Sequence, residues 1–258
     1  MTRFAGQTII ITGAASGLGA ECARQFAAEG ANLGLVDLDS ARLEKTAKSL
    51  TSMTGEIFTV TGDVSQSETS RLAIDGVLGR FGRVDSLINN AGIDPLSATD
   101  VLNTSLADWD AVMSVNLRSA FLFTQAVLPT MRKQGRGSVV NVSSIAANLP
   151  SERETVYSVS KAGLQHLTRC TALDYATDGI RANCVCPGFM EAVMTDRAAD
   201  LDDDDLARRS DLAARLVPLR REARYAEVAR AVLFLASEDD AAYITGASIA
   251  IDGGLSLK

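Results

Sequence analysis

Apolar residues in this chain follow two alternating patterns. Short runs rich in β-branched residues predict strands at Thr8–Thr12, Asn32–Val36, Glu56–Val60, Ser86–Asn89, Ser138–Val142, Arg181–Cys186 and Ser248–Ile251. Between them, longer stretches of helical period cover Gly17–Glu29, Ala41–Leu50, Glu68–Phe81, Trp109–Met131, Thr155–Tyr175 and Ala226–Ala236. Each helix must return the chain to the same edge of a sheet, so successive strands pair in parallel through right-handed crossovers. The expected fold is α/β: a doubly wound parallel sheet of about seven strands, flanked by helices on both faces.

Composition narrows this picture. With 258 residues, 47% of them hydrophobic, the chain can bury one sizeable core, and no linker or charge break divides it, so one domain over 1–258 is expected. The apolar runs fall far short of the roughly 20 residues that span a bilayer. Only Arg3 is basic before the first strand and no apolar leader follows it, so a cytosolic chain is expected. A net charge of −7 opposes binding to nucleic acid or to an anionic membrane, and neither is expected as a partner. Cys22, Cys170, Cys184 and Cys186 have no zinc spacing and His166 is the only histidine, so the cysteines read as small hydrophobes and no metal site is expected. One segment breaks the strand and helix rhythm. Residues 189–224 carry the acidic run Asp202–Asp205 followed by Arg208, Arg209, Arg215, Arg220 and Arg221. This reads as a solvated helical excursion, and its place after a strand's C-terminal end suits a lid over a ligand.

The first strand runs directly into Gly13-Ala-Ala-Ser16-Gly17-Leu18-Gly19 and then an alanine-rich helix. In that context the glycines have separate tasks: Gly13 permits the tight turn, Gly17 lets backbone approach a pyrophosphate, and Gly19 lets helix and strand pack closely, with the N–H groups of the helix N-terminus facing the anion. This is the dinucleotide-binding turn of a Rossmann fold. The second strand ends at Asp37, whose carboxylate can accept hydrogen bonds from adenosine ribose hydroxyls and would repel a 2′-phosphate. Neither Ser16 nor Leu38 supplies a cation to neutralise that phosphate, so the expected cofactor is NAD.

With Asn89-Asn90-Ala91-Gly92, Tyr157-Ser-Val-Ser-Lys161 and Pro187-Gly188 added in order, the chain resembles the short-chain dehydrogenase/reductase family over nearly its whole length. The resemblance implies hydride transfer between the cofactor and a secondary alcohol or ketone, with Asn116, Ser144, Tyr157 and Lys161 as the catalytic group. It implies adenine contacts at Asp63 and Val64, further cofactor contacts at Asn90, Ala91 and Gly92, and a nicotinamide-side turn at Pro187, Gly188 and Met190. Ser144 is selected over Ser143 by the family's pattern, and strand alternation lets only one of them face the cleft. The family's threonine five residues after the proline is here Ala192, with Thr195 three residues later as the candidate contact. Pro218-Leu-Arg-Arg-Glu-Ala-Arg224 stands where relatives usually have a glycine-containing turn. Relatives pair through the two long helices, so a homodimer or homotetramer is expected.

The chemistry explains the grouping. A carbinol cannot release hydride unless its hydroxyl proton also leaves, so a base must reach that oxygen. A free phenol, with pKa near 10, is a poor base at neutral pH. Lys161 lies one helical turn from Tyr157, where its charge favours phenolate; a shift of about three units needs about 4 kcal/mol. Ser144 would orient the substrate oxygen and stabilise its developing charge, and the resemblance implies that Lys161 also holds the nicotinamide ribose and that Asn116 supports a proton relay. Two other readings of the same residues are an NADP(H)-dependent 3-oxoacyl reductase, against which Asp37 counts, and a non-catalytic nucleotide-binding regulator, against which the complete catalytic group counts. Candidate substrate-pocket residues, beside Tyr157 and after strand ends, are Ile93, Asp94, Ile145, Ala146, Leu149, Arg153 and the 189–221 segment.

Overall fold

The computed structural model describes residues 2–51, 53, 55–94, 100–191 and 203–257, with backbone alone for 203–209. Its centre is a seven-stranded parallel sheet: β1 (Thr8–Thr12), β2 (Asn32–Asp37), β3 (Ile57–Thr61), β4 (Ser86–Asn89), β5 (Gly137–Val142), β6 (Ile180–Pro187) and β7 (Ser248–Ile251). The strand order is β3-β2-β1-β4-β5-β6-β7, so the chain reverses direction of growth between β1 and β4 and opens a crevice at their C-terminal ends.

Both faces of the sheet are covered, which is why the central strands read as continuous apolar runs. Every residue of β1 is buried. Ile9 and Ile11 pack into one core with Cys22 and Phe26 of α1 (Gly17–Ala28) and Leu43 of α2 (Ser40–Leu50). Ile10 turns into the other core, with Val77 of α3 (Ser67–Phe81). Helix ends follow local chemistry: α3 stops at Gly82, whose φ of 74° gives the left-handed cap that a glycine adopts without strain.

The expected helix over Trp109–Met131 is longer and is interrupted. It starts as α4 (Leu106–Met113), where the Ser105 hydroxyl accepts the Asp108 N–H at 3.0 Å, passes through one π turn at Ser114–Arg118, and continues as α5 (Ser119–Gln134). Length and composition would let the run Leu106–Gln134 cross a bilayer, yet Phe123, Val127 and Met131 are buried against the sheet as core. The other long helix, α6, spans Thr155–Tyr175 as expected.

After β6 comes the excursion, whose described part is α7 (Asp203–Leu216), anchored by buried Ala213 and Val217. Its two ends are zipped together: Ala223 N–H donates to Phe189 O at 2.9 Å and Glu191 N–H to Ala223 O at 2.9 Å. Helix α8 (Tyr225–Ala236) then packs Val228 and Val232 into the α1 core, followed by the short α9 (Glu238–Ala241), which the sequence pattern did not announce. Cys22, Cys184 and Cys186 are buried, whereas Cys170 is exposed. Among the described residues no group of three or more His, Cys, Asp or Glu side chains is arranged to hold a metal.

Candidate active site

The C-terminal ends of β1, β2, β4, β5 and β6 converge on one cleft of about 410 Å³. At its floor the glycine turn is built as the spacing required. A Cβ on Gly13 would meet Ala91 Cα at 2.9 Å, and one on Gly19 would collide with the Gly13 carbonyl, so the turn and the helix behind it close only with glycine. Gly17 adopts a φ of 53°. Gly13, Ser16, Gly17 and Leu18 line the cleft; Gly19 does not, because it lies behind the turn. No acidic residue occupies the first turn of α1, which leaves its N-terminus suited to an anion.

Beside the ends of β2 and β3 stand Asp37, Asp63 and Val64. The Asp37 carboxylate accepts the N–H of Ala15 at 2.9 Å and of Asp39 at 3.0 Å, so it is oriented toward the turn. Burial alone would raise the Asp63 carboxyl, but hydrogen bonds from Ser65 and Gln66 outweigh it and hold the group below its usual pKa. One expectation needs correcting here. Arg42, one turn into α2, lines the same cleft, so a cation does stand near Asp37, paired with Asp39 at 3.3 Å. Ser16 and Leu38, which adjoin the turn and Asp37, are uncharged, but a helical turn brings the fifth residue after Asp37 back to the cleft.

In the middle of the cleft Asn90, Ala91 and Gly92 follow β4. A residue that the reading passed over, Thr12, holds this turn against the first: its hydroxyl accepts the N–H groups of Asn90 and Ala91, both at 3.1 Å. Asn90 returns the link by donating to the Thr12 carbonyl at 3.0 Å and the Gly13 carbonyl at 3.1 Å.

Ser144, Tyr157 and Lys161 line the next part of the cleft. Ser144 lies two residues beyond the end of β5 in extended backbone, and its Oγ accepts the Ala146 N–H at 3.1 Å. Its neighbour Ser143 lines the cleft too, against the expectation that alternation admits only one of the pair, but its hydroxyl is spent structurally, donating to the Lys161 carbonyl at 2.9 Å. The Lys161 Nζ lies 5.6 Å from the Tyr157 ring centre and donates to the Val142 carbonyl at 2.9 Å. Burial pulls the Lys161 ammonium down to about 8, against the opposing pull of Cys184, Asp94 and Cys186. It therefore still carries its charge at neutral pH.

Asn116 does not reach the cleft surface. It sits in the π turn, 1% exposed, where its Oδ1 accepts the Ile93 N–H at 2.7 Å and its Nδ2 donates to the Ile93 carbonyl at 2.8 Å and to Ser160 Oγ at 3.0 Å. Ser160 in turn donates to the Tyr157 carbonyl at 2.7 Å. The side chain thus ties the β4 loop to the backbone that carries the tyrosine, a role that the exposed or capping asparagine of a surface helix would not have.

Pro187, Gly188 and Met190 close the far end. Gly188 packs tightly there: a Cβ would lie 3.0 Å from Asp252 Cα, so the neighbouring backbone would have to give way slightly. Thr195, Ala192 and Asp202 lie outside the described residues. Of the candidate pocket residues, Ile93 lines the cleft, joined by Val115, which the sequence did not suggest. Leu149 and Arg153 are exposed, and Phe189 and Arg221 line a separate cavity of about 490 Å³. Arg153 and Arg220 are the two described non-glycine residues with positive φ, 63° and 57°.

A fit to a nicotinamide dinucleotide rests on these features: an anion cradle that a Cβ at Gly13 or Gly19 would fill, a carboxylate beside that cradle, and a tyrosine and lysine at the opposite end of one continuous cleft.

Comparison with known proteins agrees with this geometry. A family profile described as enoyl-(acyl carrier protein) reductase matches residues 13–256. The 2-(R)-hydroxypropyl-CoM dehydrogenase of Xanthobacter autotrophicus is 40% identical over 95% of this chain and 96% of its own length. The 3-oxoacyl-(acyl-carrier-protein) reductase of Thermotoga maritima is 38% identical over 98% of this chain and 99% of its own. The crystal structure of a levodione reductase superposes with a TM-score of 0.93 at 35% identity, covering 99% of both chains. The chain belongs to the short-chain dehydrogenase/reductase family, whose members use a nicotinamide dinucleotide, and is an oxidoreductase of the type that acts on alcohols and ketones.

Proposed function

We propose that this protein transfers hydride between NAD(H) and a secondary alcohol or ketone, with Tyr157 as the general acid/base. The observation that carries the reading is the buried, charged Lys161 beside the Tyr157 ring in the cleft that begins at the glycine turn. When bound, the nicotinamide supplies the hydride acceptor in oxidation and the donor in reduction. Tyr157 takes the hydroxyl proton of the alcohol in one direction and returns it in the other. Lys161 favours the phenolate and, with Val142 fixing its ammonium, holds the cofactor ribose hydroxyls. Ser144 orients the substrate oxygen and stabilises its partial negative charge. Asn116 keeps the β4 loop and the start of α6 in register for this chemistry. Gly13, Ser16, Gly17 and Leu18 hold the pyrophosphate with Gly19 behind them, Asp37, Asp63 and Val64 hold the adenosine, and Asn90, Ala91, Gly92, Pro187, Gly188, Met190 and Thr195 hold the nicotinamide half.

The test is NADH formation from a panel of secondary alcohols, polyols, sterols and hydroxy acids, repeated with Tyr157→Phe. The variant is expected to lose at least about 100-fold in turnover; full retention on a verified substrate overturns the assignment. A second reading, reduction of 3-oxoacyl groups with NADPH, is favoured by the Thermotoga relative and by Arg42 in the cleft. Faster turnover with NADPH and a 3-oxoacyl thioester than with NAD and any alcohol would select it.

We also assign the chain to the cytoplasm, a reducing compartment that suits four free thiols, and to a homodimer or homotetramer. Pairing is supported by Phe121, Val159 and Leu173, apolar residues left exposed on α5 and α6. The 189–224 segment serves as the lid on the substrate side. A lone monomer peak on gel filtration would contradict the pairing.

A further inference from the structure

Tyr225, the first residue of α8, has no role in the chemistry above, yet it stands at the phosphate turn. Its hydroxyl oxygen is 3.4 Å from where a Cβ on Gly17 would be, and the side chain lines the same cleft as Gly17, Leu18 and Met190. More than two hundred residues of chain separate it from the turn, so no local pattern announces the pairing.

The backbone that carries the phenol is fixed at two points, and the ring by packing. Its backbone N–H donates to Glu191 Oε1 at 2.9 Å, at the stem of the excursion. Gln25 of α1 donates to the next carbonyl, Ala226, at 3.2 Å. The ring packs, half-buried, against the core that contains Leu18 and Cys22. A side chain fixed in this way loses little conformational freedom when a ligand arrives. A phenol O–H is a hydrogen-bond donor, and an oxygen of a phosphate is the acceptor for which such a donor gains most, because the bond is charge-assisted.

We infer that Tyr225 is a cofactor-binding residue, whose hydroxyl donates a hydrogen bond to the pyrophosphate cradled by the glycine turn and so completes the phosphate site from the α8 side. The inference rests on the dinucleotide reading of the cleft. It adds a side-chain donor to a site otherwise made of backbone N–H groups, and it couples that site to the stem of the excursion through Glu191.

Tyr225→Phe removes the donor and keeps the packing ring. Wild type and variant are titrated calorimetrically with NADH, NADPH, ADP-ribose and adenosine, and the melting temperature of each protein without ligand is recorded as a folding control. A charge-assisted hydrogen bond lost from the pyrophosphate weakens the preferred dinucleotide and ADP-ribose about tenfold. Adenosine, which lacks the pyrophosphate, binds both proteins alike, and the melting temperatures agree. Equal affinity of the two proteins for the dinucleotide and ADP-ribose overturns the assignment, as does an equal loss with adenosine. Failure of the wild-type protein to bind either NADH or NADPH overturns the dinucleotide reading itself, and this assignment with it.

Discussion

The ammonium of Lys161 donates to the carbonyl oxygen of Val142, 2.9 Å away at the end of β5, and makes no ion pair with a carboxylate among the described residues. A charge 3% exposed and satisfied only by a neutral carbonyl is costly to keep. The unfolded lysine holds its proton up to the ordinary value of 10.5, while the folded one releases it at about 8. Between those limits the unfolded state binds more protons, so stability rises with pH across that window. Lys161→Met is therefore expected to be more stable than wild type at pH 7, by up to about 3 kcal/mol. The gap narrows from pH 8 and closes near 10.5, while turnover is lost. Denaturant melts of both proteins from pH 6 to 11 check this; a less stable variant at pH 7 would contradict it.

On the proposed reading, Asp37 and Arg42 oppose each other in cofactor choice. Asp37→Ala would then remove both the ribose contacts and the repulsion of a 2′-phosphate, and it leaves Arg42 in the same cleft. The ratio of NADPH to NADH affinity is expected to rise at least about tenfold, or about 1.4 kcal/mol. Adding Arg42→Ala to that variant should reverse most of the gain. Fluorescence titration with the two reduced cofactors measures both steps.

Asn116→Ala leaves the Ile93 N–H and carbonyl without their side-chain partners and frees Ser160 on one side. Unpaired buried groups of this kind cost about 2 to 3 kcal/mol together. A fall of several degrees in melting temperature is expected along with reduced turnover. An unchanged melting temperature would mean that the side chain does not knit the β4 loop to α6.

Arg220 holds a left-handed φ of 57° in the turn after Pro218. An L side chain there costs about 1 kcal/mol, so Arg220→Gly is expected to raise stability by roughly that amount, or about 2 to 4 °C in melting temperature. The arginine has no hydrogen-bond or ion-pair partner of its side chain among the described residues that the substitution would remove. Differential scanning calorimetry would show a decrease if the left-handed backbone were not the dominant effect.

Much of this protein is legible in order along the chain. The glycine spacing 13, 17, 19 and the tyrosine-to-lysine interval of four residues each describe one turn or one helix, whose geometry is set by the backbone's own periods. For the same reason the strands of the sheet lie within a residue or two of their expected ends, and Thr155–Tyr175 spans its expected length. The π turn at Ser114–Arg118 was not legible, because it depends on Asn116 reaching across to Ile93. Nor was the division of labour between Ser143 and Ser144, which follows from where the Lys161 carbonyl lies over the end of β5.

The sequence by itself determined the α/β pattern, the anion-binding turn, the acid at the end of β2 and the paired tyrosine and lysine, since each is a local arrangement with its own energetic reason. Only the tertiary structure decided which distant side chains meet: Thr12 with Asn90, Asn116 with Ser160, and Tyr225 with Gly17. Those meetings follow from the strand order that sets β4 beside β1 and from the packing of α8 on α1, and packing between elements far apart in the chain leaves no periodic trace in either of them.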